Sequence, residues 1–278
     1  LQVPRLMRLS VTHTTRYAFA APVAHALQRL RLTPKSTQGQ EVVDWSTEFE
    51  NARPELEYED QHHNRVTLVS VQPGATSVSV TCRGIVDTHD FSGVIGHHAG
   101  QLPLWSFLGQ TRRTRPGPAM RRIARRFAGT ASDRLALLHQ LSSDVLASVA
   151  YVVGSTGPDT LGEQAAAAGA GVCQDHAHIF IGCARELGVP ARYVSGYLMM
   201  NDRIDQDATH AWAEAHVDGL GWVGFDISNG ISPDARYVRV ATGRDYGDAA
   251  PVTGITLGAP STDLHVEVAV EQHQVQQQ

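Results

Sequence analysis

The sequence predicts an α+β protein in which a small antiparallel β-domain precedes a domain that combines helices with antiparallel strands. Residues 7 to about 95 alternate apolar and polar side chains in runs separated by prolines, asparagines and glycines, as strands with one buried face do. Residues 132–149 and 174–187 instead carry apolar side chains at helical spacing, and strand-like runs follow them. The change from the period of two residues to the helical period of about 3.6 residues is the basis of the predicted fold class.

The 278 residues could form one large domain or two ordinary ones, and a hydrophobic content of 42% is that of a globular protein. We expect a β-rich N-terminal domain over residues 7–100 and a second domain over residues 101–255. A stretch rich in proline and arginine, residues 105–127, is interpreted as a linker at the start of the second domain. A last alternating run predicts a C-terminal strand within residues 256–272, which could return to the N-terminal domain.

The net charge of −5 gives the chain no overall electrostatic footprint for nucleic acid, so we expect no nucleic-acid partner. The segment 112–126 is an exception, because it contains seven arginines. Such a run is usually a solvated linker and helix face, and contact with phosphates or an acidic peptide is the alternative. The sequence makes no prediction of the oligomeric state.

The chain contains no run of about 18 apolar residues that would predict a membrane-spanning helix, and its first residues lack the apolar stretch of a signal peptide. Three cysteines cannot all pair and do not form a disulfide framework, which favours a reducing compartment. We therefore expect a cytoplasmic protein without a membrane partner. Because strand-like alternation begins at Met7, residues 1–6 could be a leader or a misassigned start.

Cys173 is the candidate nucleophile among the three cysteines. It follows Gly169 and Gly171, which allow a tight backbone approach, and it lies in the first turn of a predicted helix. Unpaired backbone N–H groups and the helix dipole favour a thiolate at that position. Cys183 lies inside the apolar stripe of the same helix and Cys82 lies inside a strand, so both are interpreted as small buried residues.

A predicted hairpin brings a histidine and a carboxylate together. His210 begins one strand and Asp226 ends the next, and the dipeptide Asp218-Gly219 between them is a strong turn signal. If the chain turns there, His210 and Asp226 lie about opposite each other, roughly 5 Å apart. A carboxylate at that distance can orient the imidazole as the base that a nucleophilic cysteine requires.

The competing interpretation of this region is a metal site, because His176 and His178 follow Cys173 closely. Helical geometry places Cys173 and His176 on one face but turns His178 about 200° away from His176. No known ligand spacing connects these residues to the histidine pairs at 62–63 and 97–98. We therefore expect neither a metal nor another cofactor.

Four stretches of the chain together resemble the bacterial transglutaminase-like superfamily. They are residues 171–178 (Gly-Val-Cys-Gln-Asp-His-Ala-His), 186–197 (Glu-Leu-Gly-Val-Pro-Ala-Arg-Tyr-Val-Ser-Gly-Tyr), 209–214 (Thr-His-Ala-Trp-Ala-Glu) and 221–226 (Gly-Trp-Val-Gly-Phe-Asp). Their order, with Cys173 first, His210 second and Asp226 last, is the order of the family's catalytic triad. The resemblance therefore implies that these three residues are the triad.

Further stretches extend the resemblance over nearly the whole chain. Residues 9–17 (Leu-Ser-Val-Thr-His-Thr-Thr-Arg-Tyr), 22–23 and 28–34 are similar to the β-rich region that precedes the catalytic domain in bacterial members, and residues 242–254 also fit. One departure follows Asp226, where the family usually continues Pro-Thr-Asn and this sequence reads Ile-Ser-Asn. The aspartate is retained, so only the loop after it is in question.

The resemblance implies a papain-like transglutaminase core, in which a helix presents the cysteine against an antiparallel sheet that presents the histidine and the aspartate. It implies acyl transfer on an amide bond through a thioester, with the backbone N–H of Cys173 and one side-chain donor as the oxyanion hole. Gln174 and Tyr151 are the candidate donors. Trp212 shares a face with His210 and is a candidate for the wall that contacts substrate, the alternative being a core residue.

The same residues allow three functions. We favour hydrolysis by a cysteine peptidase or amidase, with a peptide or protein as substrate. The alternative is crosslinking by a protein-glutamine gamma-glutamyltransferase, which uses the same triad and differs in whether an amine or water reaches the acyl-enzyme. A second alternative is a non-catalytic module that binds peptides, and the presence of all three triad residues disfavours it.

Overall fold

The computed structural model describes residues 6–129, 133–206, 208–257 and 262–273. In these ranges three antiparallel sheets and one parallel pair of two-residue strands combine with five α-helices, so the α+β class predicted from the sequence is confirmed. Residues 1–5, which make up most of the possible leader, lie outside the described ranges, as does part of the stretch 256–272.

The strands are β1 (Leu6–Phe19), β2 (His25–Thr33), β3 (Gln40–Glu50), β4 (Ala52–Glu59), β5 (Arg65–Val71), β6 (Ser77–His89), β7 (Val94–Gly96), β8 (Ala150–Tyr151), β9 (Ala170–Gly171), β10 (Ala191–Leu198), β11 (Asp205–Gln206), β12 (His210–Val217), β13 (Gly221–Phe225), β14 (Tyr237–Gly243), β15 (Val252–Leu257) and β16 (Thr262–Gln272). The helices are α1 (Pro118–Ala124), α2 (Arg134–Ser148), α3 (Gly162–Ala168), α4 (Cys173–Glu186) and α5 (Tyr246–Ala249).

Two of the sheets form the N-terminal β-region. The first sheet has the strand order β11-β16-β1-β6-β3 and the second has the order β15-β2-β5-β4, with every neighbour antiparallel. Their alternating apolar side chains meet between the two sheets, as the period of two requires. The residues buried there include Phe19, Leu30, Leu32, Val69, Val78 and Val80.

The third sheet, with the order β14-β10-β12-β13-β7, lies between helices and the first sheet. On one face it carries α4, which is surrounded by α1, α2 and α3 and is buried along most of its length. On the other face Tyr197 and Val238 pack against Leu9 and Val268 of the first sheet. Fully burying a side chain such as Phe180 of α4 contributes roughly 1.5–3 kcal/mol, so these contacts fix α4 on the sheet.

The sequence around α4 explains where the helix starts and stops. Val172 precedes it with extended backbone angles, and the carboxylate of Asp175 accepts a hydrogen bond from the Val172 N–H at 2.9 Å. At the other end Gly188 adopts a φ of +77°, which an L-residue with a side chain disfavours. Cys173 is therefore held at the first position of the helix.

Strand pairing divides the chain slightly differently from the domain boundaries that the sequence suggests. β7, within the stretch 7–100, pairs with β13 of the third sheet, and β15, mostly within 101–255, pairs with β2 of the second sheet. β16 lies beside β1 over eleven residue pairs. The boundaries at residues 100 and 255 stay predictions.

None of the helices in the described ranges combines the length and the apolar composition needed to cross a membrane. The cytoplasmic location stays a prediction.

Candidate active site

The hairpin formed by β12 and β13 carries His210 and the residue before Asp226, but its register differs from the predicted one. Val217 pairs with Gly221, so the turn is centred one residue later than expected and the pairing is shifted by two residues. Continued by one residue, this register sets Asp226 opposite Trp212 rather than His210. A shift of two residues keeps every side chain on the same face, which is why Asp226 and His210 still meet diagonally.

His210 and Asp226 form a short hydrogen bond in which Nε2–H of His210 donates to Oδ2 of Asp226 at 2.6 Å. Two other residues also donate to this carboxylate. The hydroxyl of Tyr237 donates to Oδ2 at 2.7 Å, and Asn229 donates to Oδ2 from its amide at 2.7 Å and to Oδ1 from its backbone N–H at 3.2 Å. A buried carboxylate needs such a set of donors to stay ionised.

The ionisation of the pair follows from these contacts. Burial alone would raise the pKa of Asp226, but the hydrogen bond and charge of His210, with the bonds from Asn229 and Tyr237, hold it below its ordinary value. Burial alone would lower the pKa of His210, yet hydrogen bonds with Asp226 and Cys173 and the charges of both raise it to about 10. The pair therefore favours a charged imidazolium beside a carboxylate.

Cys173 occupies the first turn of α4 and is partly exposed. Because Nε2 of His210 is bonded to Asp226, Nδ1 is the ring nitrogen left for the thiol of Cys173. The start of α4 is fixed by Asp175, whose Oδ2 also accepts from the hydroxyl of Thr156 at 2.5 Å. The arrangement aligns thiol, imidazole and carboxylate, the order that nucleophilic catalysis by cysteine needs.

The loop after Asp226, where the sequence departs from the family pattern, is tied to α4. The hydroxyl of Ser228 donates to Nδ1 of His176 at 2.9 Å, and Nε2–H of His176 donates to the carbonyl of Val149 at 2.9 Å. Burial lowers the pKa of His176, so the ring stays neutral and its two nitrogens can act as one donor and one acceptor. His176 thus holds the loop against the helix.

The remaining histidine of that region and the other two cysteines lie in different environments. His178 is fully buried and accepts a hydrogen bond at Nε2 from the Tyr246 N–H at 3.1 Å. Cys82 and Cys183 are also fully buried. In the described ranges no three histidine, cysteine, aspartate or glutamate side chains cluster in a way that could hold a metal ion.

Cys173 and His210 open into a cleft of about 460 Å³, within the range usual for ligand sites. Gln174 and Tyr151, the two candidate oxyanion donors, also line it. The amide of Gln174 already donates to the carbonyl of Pro158 at 3.1 Å, whereas the ring of Tyr151 is half exposed. Both side chains are therefore near the thiol, and that of Tyr151 is the less constrained by other contacts.

Trp212 does not line this cleft. Its side chain is 2% exposed and packs beneath the imidazole of His210, with ring centroids 6.2 Å apart, and edge-on to Tyr237 at 5.4 Å. The face shared with His210 is as predicted, but the position is that of a core residue supporting the His210 ring rather than a wall that contacts substrate.

Three hydrogen-bond donors in and around the site, Asn229, Tyr237 and Ser228, had no role in the sequence-based prediction. Asn229 belongs to the loop motif after Asp226, so its position was a usable signal. Tyr237 lies on β14, which reaches β12 only through β10, and no local pattern indicates that its hydroxyl meets Asp226. No local pattern indicates the contact of Ser228 either, because its partner His176 lies 52 residues away in the chain.

The helix that begins at Cys173 packs on the antiparallel sheet that carries His210 and ends beside Asp226, which is the arrangement of a papain-like α+β fold. Residues 121–227 match the family model of the transglutaminase-like superfamily, and residues 9–87 match that of the bacterial transglutaminase-like N-terminal region. The chain therefore belongs to the transglutaminase-like superfamily and carries the bacterial N-terminal region.

Several known proteins are similar to this chain over nearly its full length. An uncharacterised protein of Mycobacterium leprae is 29% identical over 278 residues, which cover 95% of this chain and 99% of the relative. An uncharacterised protein of Mycobacterium tuberculosis is 29% identical over 289 residues, covering 95% and 92%. The crystal structure of a candidate cysteine protease from Cytophaga hutchinsonii superposes with a TM-score of 0.76 at 24% identity, over 98% of this chain and 93% of that one, which shows a shared fold.

Proposed function

We propose that the protein is a cysteine peptidase or amidase that cleaves amide bonds of a peptide or protein through a thioester. The observation that carries the proposal is the 2.6 Å hydrogen bond from His210 to the buried Asp226, with Cys173 beside the same imidazole at the start of α4. Structural histidines seldom combine a raised pKa, a carboxylate partner and a thiol at one cleft.

In the first half of the proposed reaction the thiolate of Cys173 attacks the carbonyl carbon of the amide. The tetrahedral oxyanion is stabilised by the backbone N–H of Cys173, with Tyr151 as the side-chain donor that the cleft leaves least engaged. Nδ1–H of His210 then gives its proton to the leaving nitrogen as the C–N bond breaks, so an amine departs and a thioester remains.

In the second half water attacks the thioester carbonyl. His210, now neutral, takes a proton from the water at Nδ1, and the C–S bond breaks to release a carboxylic acid and restore the thiolate–imidazolium pair. Asp226 keeps Nε2 protonated throughout and stabilises the imidazolium. An amine in place of water would give the crosslinking reaction through the same steps.

Turnover of short amide-capped peptides, followed by release of the amine, tests the proposal. We expect hydrolysis by the wild type, none by Cys173→Ala, and unchanged hydrolysis by Cys82→Ala, whose sulfur is buried in the N-terminal β-region. Equal turnover by wild type and Cys173→Ala would overturn the mechanism. Product analysis with an added primary amine separates the two chemistries: mostly acid supports hydrolysis, and mostly the new amide contradicts it.

A further inference from the structure

The cleft beside Cys173 is built by residues far apart in the chain. Besides the catalytic domain, β1 contributes Thr15 and Tyr17, and β16 contributes Leu264 and Val266. The region around α5 contributes Tyr246. Two stretches of the family resemblance without an assigned role, residues 9–17 and 242–254, therefore both contribute to the lining of the cleft.

Three tyrosines, Tyr17, Tyr193 and Tyr246, line the cleft together with Cys173. Tyr17 and Tyr246 lie close enough for one phenol to affect the ionisation of the other. The rings of Tyr246 and Tyr193 meet edge-to-face with centroids 6.1 Å apart, and Tyr193 lies near enough to Cys173 for the charge of a thiolate there to raise the tyrosine pKa further. All three line the same cleft as the thiol.

The hydroxyls of these three tyrosines have no partner within the part of the chain that the structure describes, and none is sealed away from the cleft. An unpartnered hydroxyl is unusual for Tyr193, which is only 1% exposed, because buried phenols usually find a hydrogen-bond partner. Burial and the neighbouring phenol raise the pKa of Tyr17 to about 12, and burial also raises those of Tyr193 and Tyr246. All three hydroxyls are therefore neutral donors at physiological pH.

The tyrosines are held in place before any ligand arrives. Tyr17 lies on β1 between its partners Leu264 and Val78, so its position is set by two antiparallel neighbours. The backbone N–H of Tyr246 donates to His178, and the guanidinium of Arg113 lies over its ring at 5.9 Å. Such preorganisation reduces the entropy cost of binding a ligand.

The charges around the cleft indicate what the ligand is not. Among the described lining residues outside the Cys173–His210 pair, only Arg203 and Asp205 carry a full charge, and both lie on the segment between β10 and β12. His13, which also lines the cleft, has its pKa lowered to about 4 by burial and is neutral. Arg113, which lies over the ring of Tyr246, is not among the residues that line the cleft, so the three tyrosines present neutral donors and aromatic faces to a ligand there.

We propose that Tyr17, Tyr193 and Tyr246 form a substrate subsite in which their hydroxyls donate hydrogen bonds to the carbonyl groups of an uncharged peptide segment. This rests on the proposed function, because the three tyrosines line the same cleft as Cys173. It makes the N-terminal β-region a part of the active site through Tyr17. It also predicts that substrates with neutral residues along this segment are preferred over those with carboxylate or ammonium side chains, since a charge would lose its hydration without gaining a partner.

Phenylalanine variants test the subsite because they remove a hydroxyl and keep the ring. For hydrolysis of a neutral peptide amide, we expect Tyr17→Phe and Tyr246→Phe each to raise KM by about 3- to 10-fold with kcat within about twofold, the effect of one lost neutral hydrogen bond. Tyr58→Phe is the matched control, since Tyr58 is 41% exposed on β4 and does not line the cleft. An unchanged KM in both cleft variants would overturn the subsite while leaving the hydrolysis proposal intact.

A binding measurement separates the subsite from the chemistry. The inactive Cys173→Ala variant is titrated calorimetrically with a neutral peptide and with an analogue whose backbone amide is replaced by an ester, a weaker acceptor. We expect the ester to bind more weakly, and the difference to vanish when Tyr246→Phe is added. Tyrosine-dependent binding without turnover by the wild type would support the subsite and contradict the hydrolysis proposal. Tighter binding of a neutral oligosaccharide of N-acetylglucosamine than of the peptide would overturn the peptide assignment.

Discussion

The hydroxyl of Tyr237 donates to Oδ2 of Asp226 at 2.7 Å, the same oxygen that accepts from Nε2 of His210. One carboxylate oxygen thus joins β14, β12 and the end of β13. Burial and the adjacent carboxylate raise the pKa of Tyr237 well above its ordinary range, so the phenol stays protonated and acts only as a donor in this pair. Asp226 is therefore oriented from two sides, by the histidine and by a tyrosine from another strand.

Tyr237→Phe should destabilise the fold because it removes a hydrogen bond to a buried charged group. We expect the free energy of unfolding to fall by about 1.5–3 kcal/mol, measured by urea denaturation. Tyr58→Phe, at an exposed site, is the control and should change it by less than about 0.5 kcal/mol. Identical denaturation midpoints for the two variants would show that the Tyr237 hydroxyl does not stabilise Asp226.

Asp226→Asn should lower the pKa of His210 from about 10 toward or below its ordinary value. Burial still disfavours the charged ring, and the negative charge of Asp226 no longer offsets it. The measurement is NMR titration of the His210 ring nitrogens. Asp44→Asn, which neutralises an exposed carboxylate, is the control and should leave the pKa of His210 unchanged. A His210 pKa that is the same in both variants contradicts the role of Asp226.

The same variant has a predicted pH dependence of stability. The folded pKa of His210 is raised, so its pairing contributes fully below about pH 6.5 and is lost as the pH rises through about 10. Asp226→Asn should therefore differ most from the wild type in unfolding free energy near pH 6 and least near pH 10. A difference that grows between these pH values would have the wrong sign for this linkage.

Iodoacetamide should discriminate among the three cysteines of the folded protein. Burial raises the pKa of Cys82 to about 11 and that of Cys183 to about 12, and both thiols are inaccessible. At pH 7 we expect mass spectrometry to find label on Cys173 alone, at a rate that falls in His210→Ala. Labelling of all three should follow denaturation in urea. Equal rates for Cys173 in wild type and His210→Ala would indicate that the imidazole does not activate the thiol.

Glu214→Gln should be among the most destabilising charge-neutralising changes outside the site. Glu214 is fully buried between Arg192 at 2.6 Å and Arg239 at 2.7 Å. Burial alone would raise its pKa, but the two guanidinium groups lower it to about 2. Removing the carboxylate leaves two uncompensated cations, at a cost of about 3–5 kcal/mol near neutral pH.

The pH dependence of Glu214 has the opposite sign to that of His210. Its pKa is depressed, so the stabilisation is present above about pH 4.5 and is lost as the pH falls toward 2. Chemical denaturation of wild type and Glu214→Gln at pH 7 and pH 3 measures it, and the gap should be smaller at pH 3. Glu48→Gln, which breaks an exposed pair with Arg83, is the control and should cost about 0–1 kcal/mol.

The sequence alone was enough to predict the elements that carry Cys173, His210 and Asp226. A helix with one apolar stripe and a hairpin with an Asp-Gly turn are local patterns, set by periods of 3.6 and 2 residues and by backbone preferences at glycine. Even the wrong register left Asp226 on the side of His210, because a shift of two residues preserves the face. The family resemblance connected these three residues with the catalytic triad, because they occur in the order of the family's triad.

Only the tertiary structure decided what surrounds those residues. Alternation placed Trp212 on the face of His210 but left open whether it contacts substrate or lies in the core. Packing against Tyr237 and its neighbours buries the side chain, so its position is that of a core residue. The hydrogen bond of Tyr237 to Asp226 and the cleft that Tyr17 and Tyr246 both line bring together segments that are far apart in the chain. Local patterns report which side chains share a face, whereas contacts between distant segments arise only when the sheets pack. The position of Cys173 at the start of a helix could therefore be predicted, and the cleft around it could not.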